Sequence, residues 1–324
     1  MKLSATAHEI EMAPEVIGVG RTTGQSEKWR RRVTIIVVVL PFLAFLIGMA
    51  YLWNGGAGGM DVLLLGGMYV LTLLGVEGGF HRLIAHSAFQ ATTTVRTLLV
   101  ILGSMASQGP VLFWAATHRR HHIYTDRTGD PHSPHAPSPG LWRALRGFWH
   151  AHTGWLFASE TTDFSYYTPD LMKDPFLFKL NLLYPLWVLL GLLIPSAIGG
   201  MYAQSWSGAL SGLLWGGLVR IFLVHHAVWS VNSVCHLFGS RPFHIKGTST
   251  NNIWLSLTSL GGSWHNNHHA FPRTADNAFQ WWQIDLCGRA IRVLEHWGLA
   301  WNVWSPTQDM IESRTDRARA RRSD

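Results

Sequence analysis

Charge is what this sequence has least of. Only 14% of its 324 residues are Asp, Glu, Lys or Arg, against about a quarter in ordinary soluble domains. A chain so poor in charge, with 48% hydrophobic residues and 17 tryptophans, is expected to sit in a membrane. Cysteine is nearly missing too. Cys235 and Cys287 are the two present, which argues against a disulfide framework and a cysteine-built metal site. Residues 1–27 are mixed and polar and lack the apolar core of a cleavable signal peptide. They are expected to form a mobile cytosolic tail. No helix-turn-helix signature and no basic motif interleaved with aromatics is found, so nucleic acid is not an expected partner.

What is present is a set of long apolar runs. Lys28, Arg30, Arg31 and Arg32 precede an uncharged run over 33–53, which as a helix is about 30 Å long, the thickness of a bilayer core. Further runs over 62–80, 182–203 and 210–231 predict three more spans. The segment 95–106 is apolar but short, and is read as an interfacial or re-entrant helix. The positive-inside rule puts the N-terminal arginines in the cytosol. Four spans then leave both termini on that side, including the basic C-terminal tail over 306–324.

Histidine is the residue in excess, 18 in all. They cluster as HRLIAH (His81, His86), HRRHH (His118, His121, His122) and HNNHH (His265, His268, His269), all on the cytosolic side of the predicted topology. On a helix, positions i and i+4 lie about 40° apart, while i+3 and i+4 lie about 100° apart. His118 and His122 can therefore serve one metal while His121 faces another. His265 and His269 can pair, leaving His268 for the other metal. HRLIAH needs a helix end or a distortion to converge, because five residues turn a helix by about 140° off alignment. Neutral imidazole binds Fe, Zn, Cu and Ni, so these residues do not name the metal. Glu77, one turn before His81, reads equally as a carboxylate orienting that ring or as a helix-end charge. His132, His135, His150, His152, His225, His226, His244 and His296 are read as structural or as supporting neighbours.

The stretches GVEGGFHRLIAH, FWAATHRRHH, GDPHSP, GFWHAHTGW, WSVNSVCHLFGSRPF and STNNIWLSLTSLGGSWHNNHHAFP, in that order over 75–272, resemble the membrane fatty acyl desaturases. The resemblance is strongest to the stearoyl-CoA desaturase and bacterial Δ9 desaturase group. It implies an all-α integral membrane protein, four transmembrane helices with a cytosolic helical cap holding a polyhistidine diiron centre. The catalytic domain would span 33–305. Two Fe ions and O2 would insert a cis double bond, Δ9 by analogy, into a saturated acyl chain. The resemblance adds His236 as a ninth ligand and assigns His81, His86, His118, His122 and His268 to one iron. His121, His236, His265 and His269 go to the other. It also implies Asn232 as a residue reaching one iron through water, and Gln108 and Trp114 as neighbours of a bend in an acyl tunnel.

Two departures bear on product rather than on metal. Val228 stands where animal relatives carry a Thr at the tunnel bend, and Ser87 where relatives often carry Arg. No haem HPGG pattern or cysteine cluster is present, so electrons are expected from a separate donor, by resemblance a ferredoxin with its reductase. Arg119, Arg120 and Arg127 are read as a cationic face for that donor or as contacts for lipid headgroups or CoA phosphates. The acyl group could ride on CoA, acyl carrier protein or a glycerolipid. Hydroxylation or terminal-olefin formation on the same scaffold is the first rival. A metal-binding membrane transporter or sensor is the remote one, since it would place ionisable residues along the midplane of the spans.

Overall fold

The computed structural model describes residues 16–135 and 140–323. Four of its helices are long and apolar enough to cross a membrane: α1 (Gly24–Trp53), α2 (Gly59–Ala85), α7 (Tyr184–Ala203) and α8 (Trp206–His236). Between and after them lie α3 (Thr93–Met105), α4 (Val111–Tyr124), α5 (Leu141–His152), α6 (Pro175–Leu182), α9 (His265–Ala270), α10 (Leu286–His296) and α11 (Gln308–Ser323). Ile36, Leu43 and Ile47 on α1 and Leu186, Leu189 and Leu193 on α7 face outward, the arrangement a lipid solvent requires. α3 is about 20 Å long, too short to cross, and it packs along the end of α2. Gly75 and Gly103 allow that packing, because a Cβ on either would overlap the other helix's backbone.

Three of the four spans, α1, α2 and α8, extend beyond their apolar runs, since the helical backbone continues until something caps it. α1 starts at Gly24 and not at residue 33. Arg30 fixes that extension: it donates to Leu156 O at 3.0 Å and also to Ala158 O. The expected mobile tail is corrected over 16–27. There β1 (Val19–Arg21) pairs antiparallel with β3 (Glu160–Thr162), and Tyr167 donates to Ile17 O at 2.8 Å. The rest of that expectation, over 1–15, lies outside the described residues. A second short pairing, β2 (Gln90–Ala91) with β4 (Ala300–Trp301), ties the end of the first histidine box to the C-terminal region.

The apolar core gathers Leu73 and Phe80 of α2, Leu112 of α4, Leu180 of α6 and Val224 and Val228 of α8, with Trp114 packed against it. One cation is sealed among these helices. Arg220, midway along α8, is fully buried and donates to three backbone carbonyls, Gly216 in its own helix (3.1 Å), Met105 (2.7 Å) and Gly191 (2.8 Å). Met105 ends α3, so its carbonyl has no partner further along that helix. Gly191 lies four residues before Pro195, which has no N–H to offer it. The arginine thus satisfies carbonyls that the helices themselves leave open.

Candidate metal centre

Each histidine cluster is delivered by a different local device. The last turns of α2, Gly75–Ala85, are π-helical. Hydrogen bonds in a π-helix run from i to i+5, and the His86 N–H donates to His81 O at 3.1 Å. That is the distortion HRLIAH needs to bring its two rings together. α4 keeps regular α geometry, so His118 and His122 share a face and His121 turns away. α9 has six residues, too few to be stable alone. The two asparagines inside HNNHH hold it. Asn266 accepts from Phe243 N at 2.9 Å and donates to Ser249 O at 3.0 Å. Asn267 accepts from Asn251 at 2.7 Å and donates to Asn277 O at 2.8 Å. Arg82, between the rings of the first box, pairs with Asp285 at 2.9 Å and donates to Ala275 O at 2.7 Å, tying the loop before α10 to α2.

The structure brings the eight box histidines and His236 into two sets. His81, His86, His118, His122 and His268 form one, and His121, His236, His265 and His269 the other, with donor atoms in each set within 4.8 Å of one another. In the first set, Nε2 of His86 lies 2.7 Å from that of His118, which lies 3.1 Å from His122, which lies 2.9 Å from His268, which lies 3.0 Å from His81. In the second, His121 to His269 is 3.3 Å, His269 to His265 is 3.0 Å and His265 to His236 is 3.0 Å.

These nitrogens fit a cation better than they fit one another. Glu77 accepts from His81 Nδ1 at 3.0 Å, Asp130 from His121 Nδ1 at 3.0 Å and Asp126 from His236 Nδ1 at 3.0 Å. A ring whose Nδ1 carries the proton presents a bare lone pair at Nε2. His236 therefore points a lone pair at His265, and His81 one at His268. Burial, reinforced by neighbouring imidazoles, pushes His86, His118, His122, His265, His268 and His269 well below the ordinary histidine range. They are neutral, the form a metal binds. Neighbouring donors held about 2.1 Å from one ion at right angles sit about 3 Å apart, which is the spacing found. His121 is the exception. Burial opposes its charge, but the Asp130 carboxylate outweighs that and raises its pKa. Burial also works against ionised Asp130, yet His121 holds its carboxyl far below the usual range.

Asp126 and Asp130 are the functional residues that sequence reading missed. Their signal was present: two acids in a charge-poor chain, four and eight residues past HRRHH. Asp126 also accepts from Thr248 N at 2.7 Å, fixing the loop after His236. His132 lies against His121, ring centroids 4.5 Å apart, and burial with that neighbour pushes its pKa down to about 3. Glu77, left open between two readings, is seen at the His81 ring.

The remaining candidates divide. Trp114 stacks on His118, centroids 4.9 Å and planes 21° apart, and tilts against Phe80. Val228 joins the same apolar core. The Gln108 amide nitrogen is buried with no hydrogen-bond partner among the described residues. Asn232, one turn before His236, is half-buried and makes no hydrogen bond to a described residue. The three arginines read as a cationic face differ in their surroundings. Arg120 is buried, paired with Glu160 at 2.8 Å and bonded to Gly129 O at 2.7 Å. Arg119 pairs with Asp170 at 2.6 Å and holds Ala85 O at 2.9 Å. Arg120 is absorbed by the fold, Arg119 is half-buried at the edge of an open cleft, and Arg127 is exposed. His225 donates to Ser107 O at 3.0 Å, and His152 bridges His226 at 2.8 Å and Ser233 at 2.9 Å, so these histidines hold structure.

Comparison with known proteins agrees with the geometry. The sequence profile of the fatty acid desaturase family matches residues 59–301. The chain is 46% identical over 278 residues to a hex-5-enoyl-[acyl-carrier protein] acetylenase of Moorena producens, covering 85% of this chain and 87% of that protein. It is 36% identical over 233 residues to an sn-1 stearoyl-lipid 9-desaturase of Anabaena variabilis, covering 71% and 78%. To the Delta-9 acyl-lipid desaturase 1 of Arabidopsis thaliana it is 32% identical over 316 residues, 95% and 97% of the two chains. With this match, four spans and two convergent histidine sets, the chain belongs to the fatty acid desaturase family and is an oxidoreductase of that kind.

Proposed function

We propose that the chain is an O2-dependent acyl desaturase that inserts a cis double bond, at Δ9, into a saturated chain, using two irons held by the eight box histidines and His236. The observation that carries this reading is the pair of lone-pair-lined histidine sets lying directly behind an apolar wall. Iron, when bound, supplies the one-electron chemistry that activates O2 and removes hydrogen from an unactivated C–H bond. The protein supplies the rest. Glu77, Asp126 and Asp130 hold the Nδ1 protons and so keep the rings aimed inward. Trp114 covers His118, while Phe80, Leu112 and Val228 exclude water beside it. Methylenes offer no polar handle, so their position is set by the shape of that wall. Asn232 would reach one iron through a water, and Gln108 would stand beside the acyl chain.

In this reading residues 33–305 form the catalytic domain. The enzyme lies in the cytoplasmic membrane with both termini and the centre on the cytosolic side, and a ferredoxin with its reductase supplies electrons. The test is expression in a host lacking its own desaturase, together with a ferredoxin system, followed by mass-spectrometric location of double bonds. New cis-Δ9 monoenes, absent with His268→Ala, are expected. Hydroxylated or terminal-alkene products would overturn the reaction while keeping the centre.

A second reading has its own support. The Moorena relative, 46% identical, is named for making an acetylenic product from an unsaturated chain on acyl carrier protein. Supplying saturated and monounsaturated chains in parallel, as lipid and as acyl carrier protein thioesters, separates the two. Triple bonds formed from the monoene alone would favour the acetylenase reading.

A further inference from the structure

The nine histidines are not equally enclosed. His86, His118, His122 and His269 are half-buried and the other five are buried. Three of those four, His86, His122 and His269, line one open cleft of about 700 Å³. The cleft therefore touches both sets, since His269 belongs to the set of four and the other two to the set of five. Inside it His122 and His269 lie face to face, centroids 4.4 Å and planes 19° apart, so one stacked pair joins the two sets at the open edge.

The acyl chain has another side to use. α4 begins in the apolar core, where Leu112 and Trp114 pack with Phe80 and Val228. Its far end, Ile123 and then Thr125, forms a wall of the cleft. The histidines lie between, with an apolar face behind and a polar opening in front.

Among the described residues, several cations gather around that opening. Lys246 lies exposed on the wall. Arg127 donates to the lining Ile123 O at 2.8 Å, and Arg241 to Gly247 O at 2.6 Å. Exposed Arg273 follows the lining Pro272. Carboxylates nearby are engaged: Asp170 by Arg119, Asp126 by His236 and Asp130 by His121.

We infer that this cleft is the port where a small acidic one-electron carrier protein docks, and that electrons enter through the His122–His269 stack. The inference rests on the desaturase reading. Each double bond releases two electrons and two protons from two C–H bonds. Reduction of O2 to two waters takes four of each, so two reduced carriers supply one electron apiece and solvent supplies two protons. A plant-type [2Fe–2S] ferredoxin is a carrier of this class.

The test uses the metal-loaded protein in detergent and oxidised plant-type ferredoxin as the probe. Lys246→Glu with Arg273→Glu should raise the ferredoxin Kd at least about tenfold at low ionic strength and flatten its salt dependence. Arg289→Glu, an exposed charge on α10, should leave both unchanged. Metal content and a single turnover after dithionite reduction, which needs no docking, report whether the centre is intact. Unchanged Kd and salt slope in the double variant would overturn the inference. So would a raised KM for the acyl substrate with ferredoxin affinity intact, which would make the cleft a dock for an acyl carrier. Dithionite-driven turnover without product in the unsubstituted protein would remove the desaturase reading, and ferredoxin affinity would still report on the cleft.

Discussion

The two histidine sets are built by opposite means. The set of five has many donors and one orienting carboxylate, Glu77. It relies on backbone geometry, a π-helical turn that places His81 and His86 together. The set of four has fewer donors and two carboxylates, Asp126 behind His236 and Asp130 behind His121. Its donors come from three elements, α4, α8 and α9, with His236 in the 3-10 turn Val234–His236 that ends α8. Where donors are few, two of the four are held by a carboxylate from behind. Where they are many, the backbone does the collecting.

The sharpest way to break this comparison is to remove one donor from each set. His236→Ala leaves three donors and strips Asp126 of its partner. Product should fall more than about 100-fold, with bound iron about halved by elemental analysis. His86→Ala leaves four donors and should retain more metal. Equal metal loss from both would end the argument. Next come the carboxylates. Asp130→Asn should weaken metal affinity about 10- to 100-fold, read by chelator competition. Glu77→Gln should cost less, at or below about tenfold, because four other donors share the load. A reversed order would show that the outer carboxylates do not compensate for donor number.

Acidification separates the sets more gently. A histidine whose pKa is lower folded than unfolded gains its proton on unfolding, so stability declines as pH drops below about 6.5. His86, His118, His122 and His268 of the first set all shift downward. In the second set His265 and His269 shift downward, and His121 shifts up. His121 therefore contributes at low pH and loses that contribution as pH rises through its folded pKa. Titrated from about pH 7.5 to about 5.5, the set of four should release its metal first, because a proton on His121 competes for the nitrogen that would hold the metal, while His86, His118, His122 and His268 of the set of five stay neutral. Loss in one step would count against this.

Much of this was legible because some signals are local. Span count follows from long apolar runs nearly free of charge, and the His118/His122 and His265/His269 pairings follow from helical spacing alone. The split into two sets, with His236 as its ninth member, needed a resemblance, since no spacing links residue 236 to the boxes. Glu77 stayed open because an acid one turn before a histidine looks the same until the backbone is known. Asp126 and Asp130 act through the path of a loop, which the pattern GDPHSP does not disclose. The partners of Arg119 and Arg120 were not legible, because charge in a sequence does not reveal what it pairs with, here Asp170 and Glu160, 51 and 40 residues away. The arm over 16–22 was taken for a tail because three residues of strand carry no periodicity.

Arg220 has a consequence for how the molecule is made. An arginine at the centre of an inserting helix costs about 2.5–3.5 kcal/mol, and within α8 it finds only Gly216. Its other two acceptors exist only after α3 has laid its last carbonyl against the bundle and α7 has presented the gap that Pro195 leaves. The fourth span is therefore a conditional one, at ease in the bilayer only once its neighbours are in register. A chain misassembled at that stage exposes an unsatisfied cation to lipid, a mark by which quality-control proteases can tell an unfinished bundle from a finished one.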